Sequence, residues 1–144
     1  MRIRTLLLAI MLFGSTARAD SVALILGGIP GSPEHEEKFE RWTTTTRGLL
    51  VDTFGFAPAD VTVLTNREAR ADDIRAAFDA IGQRVGPADT LFVFFIGHGS
   101  YDSGEYKFLI SGPDMTGADY SELVAAVGAG RSVIINATNS SGAI

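Results

Sequence analysis

From residue 21 to residue 136 the sequence alternates short apolar runs with longer segments of helical periodicity, and few folds accept that order. Residues 21–26 (SVALIL), 61–64 (VTVL), 91–96 (LFVFFI) and 132–136 (SVIIN) read as strands. The aromatic-rich third run has the composition of a central strand covered on both faces. Residues 34–54, 71–85 and 116–127 lie between the runs as helices. This alternation predicts an α/β domain: a mostly parallel sheet with helices on both faces, a three-layer α-β-α sandwich. Right-handed crossovers then decide which helix covers which face. A further run, 106–110 (YKFLI), alternates only in part and is expected at an edge or in a hairpin. No repeat or linker interrupts the pattern, so residues 20–144 read as one domain.

The helices carry start and stop signals. Glu34, Glu36 and Glu37 put negative charge in the first turn of the first helix, where its dipole favours it, and Gly55 ends it. Its buried stripe is expected at Phe39, Trp42, Thr46, Leu49 and Thr53. The second helix has Asp72 and Asp73 near its start, a stripe of Ile74, Phe78, Ile81 and Val85, and Gly86-Pro87 as its stop. Thr116 and Asp119 make a capping-box-like pair at the head of the third.

Residues 1–19 follow a different logic. Arg2 and Arg4 precede an apolar run at 5–14 (TLLLAIMLFG), and Ala17-Arg18-Ala19 is a small-x-small cleavage pattern. That is the order of a secretory signal peptide. The run is shorter than the roughly 20 apolar residues that span a bilayer. Cleavage after Ala19 is expected to export residues 20–144 to the periplasm or the exterior. Without Arg2, Arg4 and Arg18, 9 basic residues face 17 acidic ones, a net charge of −8. No basic stripe remains to neutralise phosphates, which argues against nucleic acid as a partner. No second apolar run is long enough to cross a membrane, so no transmembrane segment is expected in the exported chain. With no cysteine in the sequence, the exported chain has no disulfide to form and depends on its core.

In parallel sheets, ligands and catalytic groups gather at the carboxyl ends of the strands. After the first run stands Gly27-Gly28-Ile29-Pro30-Gly31-Ser32, glycine-rich and leading into a helix. It lacks the lysine of a phosphate loop and the glycine spacing of a dinucleotide fingerprint, and acidic residues follow it. It reads as a tight turn, and no cofactor is expected. After the third run comes Gly97-His98-Gly99-Ser100. Two glycines let the backbone turn sharply and present an imidazole at a strand exit, as a general base requires. His35, among glutamates at a helix start, reads as a solvated charge partner. After the last run, Asn136-Ala137-Thr138-Asn139-Ser140-Ser141-Gly142 crowds small and hydroxyl residues at another exit. If the two strands are neighbours, His98 and Thr138 face each other across one rim. Two histidines far apart in sequence make no metal cluster.

This arrangement resembles the caspase, legumain and metacaspase clan over nearly all of residues 21–144. Gly97-His98-Gly99 matches the clan's histidine motif. Asn136-Ala137-Thr138-Asn139-Ser140 is similar to the Glu-Ala-Cys-Glu-Ser stretch of legumain-like peptidases, with Thr138 at the position of the nucleophilic cysteine. The resemblance implies a caspase-like sandwich, truncated at its C-terminus because the clan's later elements have no counterpart before Ile144. It also implies lost cysteine peptidase chemistry. Cysteine supplies a usable thiolate near neutral pH, whereas a threonine hydroxyl needs a strong, aligned base. Asn136 stands where the legumain stretch has an acid.

Three functions follow as expectations. The first is an exported pseudopeptidase whose rim, with Asn136 and Ser140 as binding residues, holds a peptide or protein without cutting it. The second is a hydrolase using the hydroxyl of Thr138, Ser140 or Ser141 with His98, the backbone N–H groups near Gly99 or Thr138 forming an oxyanion hole. The third is an unrelated doubly wound domain that binds a small molecule at the same rim.

Overall fold

The apolar runs all enter one parallel sheet. The computed structural model describes residues 20–143 of the 144, and the expected signal peptide lies outside the described residues. The elements follow as β1 (Ser21–Gly27), α1 (Pro33–Gly48), β2 (Val61–Thr65), α2 (Ala71–Gly82), β3 (Thr90–Gly97), β4 (Gly99–Asp102), β5 (Glu105–Phe108), β6 (Met115–Thr116), α3 (Gly117–Val127) and β7 (Arg131–Thr138). The main sheet has the order β2-β1-β3-β7, with every pairing parallel. The fold is therefore the α/β sandwich that the alternation predicts.

Strand geometry divides the core in two, because successive side chains point to opposite faces. Val22, Leu24 and Leu26 of β1 and Leu91, Val93 and Phe95 of β3 meet Ile74, Phe78 and Ile81 of α2 and Tyr120 and Val127 of α3. The opposite face carries Ala23, Ile25, Val61 and Ile96 against Leu50. The connection from β1 to β2 runs one way along the sheet, and those from β2 to β3 and from β3 to β7 run the other. Right-handed crossovers therefore place α1 on one face and α2 with α3 on the other. Burial pushes the Tyr120 phenol up and keeps it protonated. Its hydroxyl has no hydrogen-bond partner among the described residues.

The expected stripe of the first helix is corrected. The buried residues of α1 are Phe39 and Thr43, followed by Leu50 in a π-helical turn over Leu49–Thr53. Trp42 and Leu49, expected inside, stay 46% and 49% exposed. Thr43 takes the inward place because its hydroxyl is satisfied within the helix, donating to the carbonyls of Phe39 (2.9 Å) and Glu40 (3.0 Å). The run that begins at Tyr106 falls in a hairpin, as expected: β5 pairs antiparallel with β4 and is the middle strand of a small sheet with order β4-β5-β6. The sequence patterns miss β4 and β6, which have four and two residues. At the head of α3 the capping box is complete: Asp119 N–H donates to Thr116 Oγ1 (3.1 Å) and Thr116 N–H to Asp119 Oδ2 (2.8 Å).

Candidate functional site at the β3 and β7 rim

β3 and β7 are neighbours, and Gly97 lies directly across from Thr138 in their register. His98 and Thr138 thus stand at one rim, as the sequence reading expects. Close backbone approaches build it. A Cβ on Gly97 would sit 3.1 Å from the Cα and N of Gly28, and one on Gly28 would sit 2.6 Å from the Leu109 carbonyl. Only glycine lets the β1 loop, the β3 exit and the segment after β5 pack this tightly. Gly28 N–H donates to Ile96 O (2.9 Å), Ile29 N–H to Leu109 O (2.9 Å) and Leu109 N–H to His98 O (3.0 Å), which ties the three together.

His98 is half-buried, and its Nε2 lies 3.1 Å from the Pro30 carbonyl oxygen. A carbonyl only accepts, so Nε2 carries the proton and, in the neutral ring, Nδ1 is the basic atom. The ring is also packed. Phe39 of α1 meets it edge-on at a centroid distance of 5.1 Å, and His35 meets it at 4.8 Å with 77° between planes. This corrects the solvated reading of His35: the two histidines are far apart in sequence but in contact here. Ser32, the N-cap of α1, accepts the His35 N–H and lies 2.9 Å from His35 Nδ1. Helical spacing puts residues 35 and 39 on one face of α1, and the β1 loop brings that face over β3. Among the described residues no group of three histidine, cysteine or acidic side chains could hold a metal ion.

Thr138 is 9% exposed, and its hydroxyl is already engaged. It donates to Asn136 Oδ1 (2.8 Å) or to the Asn139 carbonyl (3.0 Å), and the Tyr106 hydroxyl lies 2.9 Å away. Tyr106 is also 3.3 Å from Asn136 Oδ1. Each hydroxyl has one proton, so the two share the Asn136 and Asn139 oxygens as acceptors, and either can donate to the other. No hydrogen bond joins Thr138 to His98 among the described residues. Asn136 Nδ2 is buried without a partner.

Gly99 is closed off in a different way. Its N–H donates to Asn139 Oδ1 (3.1 Å), and Asn139 Nδ2 donates back to its carbonyl (2.7 Å). One side-chain amide thereby imitates a backbone partner, and the Gly99 N–H expected to serve an oxyanion hole is occupied. A Cβ at Gly99 would lie 2.6 Å from Asn139 O and 2.7 Å from Thr138 Oγ1. Ser140 is exposed, takes a left-handed φ of 64° and makes no described hydrogen bond to the rim. The structure thus brings His98, Gly99, Thr138 and Asn136 together and leaves Ser140 outside.

Sequence reasoning misses Pro30, His35, Tyr106 and Asn139 as rim residues. Pro30 acts through its carbonyl, which no side-chain pattern reveals. Tyr106 lies in a run whose partial alternation points only to an edge or hairpin strand. Beside Pro30 and Phe39 opens a cleft of about 220 Å³, lined also by Glu36, Glu40, Thr65 and Asn66.

No family model and no curated protein matches the chain. Among solved structures it is similar to protein GSU0716 from Geobacter sulfurreducens, with a TM-score of 0.65 and 17% identity. The match covers 83% of this chain and 50% of that one, so this chain spans about half the length of the protein it matches. At that identity the likeness shows the shared α/β fold alone.

Proposed function

We propose that this chain is an exported peptidase homologue of the caspase and legumain type that binds a peptide or protein segment at the β3 and β7 rim without hydrolysing it. The observation that carries this reading is the state of Thr138. Its hydroxyl is buried and hydrogen-bonded to Asn136, Asn139 and Tyr106, with no bond to His98. A nucleophilic hydroxyl needs a base on its proton and an open path to a carbonyl carbon. The Gly99 N–H, paired with Asn139, offers nothing to a developing oxyanion. What stays available is the surface itself: a half-buried imidazole with a free Nδ1 and the adjoining cleft.

The test incubates the chain with a mixed peptide and ester pool, beside His98→Ala and Thr138→Cys. The expected result is retention of intact peptides by the unaltered chain, with backbone amide shifts at Gly99 and Asn139 in its NMR spectrum. Cleavage by the Thr138→Cys chain that is lost on adding His98→Ala would support the resemblance to the clan. Turnover by the unaltered chain that His98→Ala abolishes would overturn the binding-only reading and establish the hydroxyl hydrolase.

A further inference from the structure

The one hydrogen bond that the described residues give the His98 ring runs from Nε2 to the Pro30 carbonyl. One hydrogen bond at 3.1 Å to a loop carbonyl leaves the ring free to swing about χ1 and χ2 unless its faces and edges are packed. The packing comes from α1. Phe39 is buried and meets the ring edge-on. His35 meets it at 4.8 Å and is itself held, because Ser32 Oγ lies 2.9 Å from its Nδ1 and accepts its backbone N–H. Ser32 thus fixes the helix end and the His35 ring together. The loop that carries Ser32 also carries Pro30, so one short segment sets both supports of His98.

We propose that His35 is a positioning residue for His98: anchored by Ser32, its ring holds the His98 imidazole with Nε2–H on the Pro30 carbonyl and Nδ1 as the atom presented at the rim. The inference deepens the reading that this rim is the working surface, and rests on it for its purpose. Phe39 packs against both rings and shares the constraint, but it carries no polar group to anchor it as Ser32 anchors His35. The charged neighbours of His35 on α1 are Glu34, which pairs with Lys38 at 2.6 Å, and Glu36, which accepts from Asn66. Tyr106 of β5, Asn136 and Thr138 of β7, and Asn139 just after it bond to one another or to Gly99.

The chain has only two histidines, so nitrogen-15 NMR of the imidazoles in the full chain reports both rings without crowding. In the unaltered protein at a pH where both rings are neutral, His98 should show the pattern of a single tautomer protonated at Nε2. His35→Ala should replace it with the averaged pattern of two exchanging tautomers, while the backbone amide spectrum of β1 and β3 stays in place. His35→Phe, which keeps a ring edge against His98, should restore the single pattern. If the alanine variant fails to fold, His35→Leu fills the space without a ring edge and gives the same readout. An unchanged His98 tautomer in His35→Ala or His35→Leu overturns the proposal, as does a His35→Phe spectrum like that of His35→Ala. The tautomer is read on the resting protein, so a chain that binds no peptide would refute the functional reading and leave this test standing.

Discussion

Gly99 shows how one missing side chain can organise a site. Its backbone is clasped by the Asn139 amide on one side, and Thr138 and Tyr106 close the other. A methyl group there would meet a carbonyl oxygen at 2.6 Å, a hydroxyl at 2.7 Å and an aromatic carbon at 2.8 Å. None of these is the free end of a flexible chain. Gly99→Ala should therefore destabilise the fold by about 1–3 kcal/mol, the usual cost of overpacking, and break the Asn139 clasp. Urea unfolding measures the first, and loss of the Gly99 amide's downfield shift reports the second. At the same scale a carbonyl cannot donate, so in the orientation that the His98 ring takes the Pro30 oxygen places the proton on Nε2.

Among the elements, α1 and α3 make contrasting tests. The inward face of α1 is Phe39 and Thr43, and Trp42 lies half-exposed at its margin against Phe39. Phe39→Ala should cost about 3–5 kcal/mol, the range for a buried phenylalanine, while Trp42→Ser, which removes a half-exposed ring packed on Phe39, should cost about 1 kcal/mol. Equal losses in chemical denaturation would show that the hydropathy stripe was the true one. The capping box of α3 makes a pH prediction. Hydrogen bonds from the Thr116 backbone N–H and hydroxyl hold the Asp119 carboxyl below its usual range, with help from Arg75. A carboxyl depressed on folding contributes stability above its unfolded pKa of about 3.9 and loses it as pH falls through the folded value. Stability should thus decline with acid below about pH 4, and Asp119→Asn should flatten the part of that decline owed to this group. Thr116→Ala should remove about 1 kcal/mol at neutral pH, the typical worth of an N-cap. Thermal unfolding of the three chains across pH 2–7 separates the effects.

At the scale of the whole molecule, β7 is the edge of the main sheet among the described residues. Its outer edge carries unpaired backbone groups, and Ile134 is 42% exposed beside an apolar groove of about 390 Å³ lined by Phe95, Tyr120, Val124 and Ala129. Such an edge is a template for pairing with other chains. Ile134→Lys should raise the protein concentration at which light scattering first detects association. No change would mean that the edge is already protected in solution.

The same scale separates what was legible in the sequence from what was not. Residues 74, 78 and 81 are buried as their spacing predicts, and Thr116 and Asp119 cap α3 as their pairing predicts, because both signals are local and repeat with the period of the element. The four apolar runs and the helices between them determined the parallel sandwich, since a continuous apolar strand must be covered on both faces. Gly97-His98-Gly99 marked the rim for the same kind of reason: glycines beside an imidazole at a strand exit allow few backbone paths. Tertiary structure alone decided the rest. His35 and His98 are 63 positions apart and meet only because the β1 loop folds α1 over β3. Tyr106 reaches Thr138 only because β5 pairs with β4, a strand too short to carry a periodic signal, and the hairpin turns back over the β7 exit. Whether the Thr138 hydroxyl was free or bound depended on where its single proton had acceptors. Those acceptors, the Asn136 side chain and the Asn139 carbonyl, are placed by the three-dimensional path of the chain.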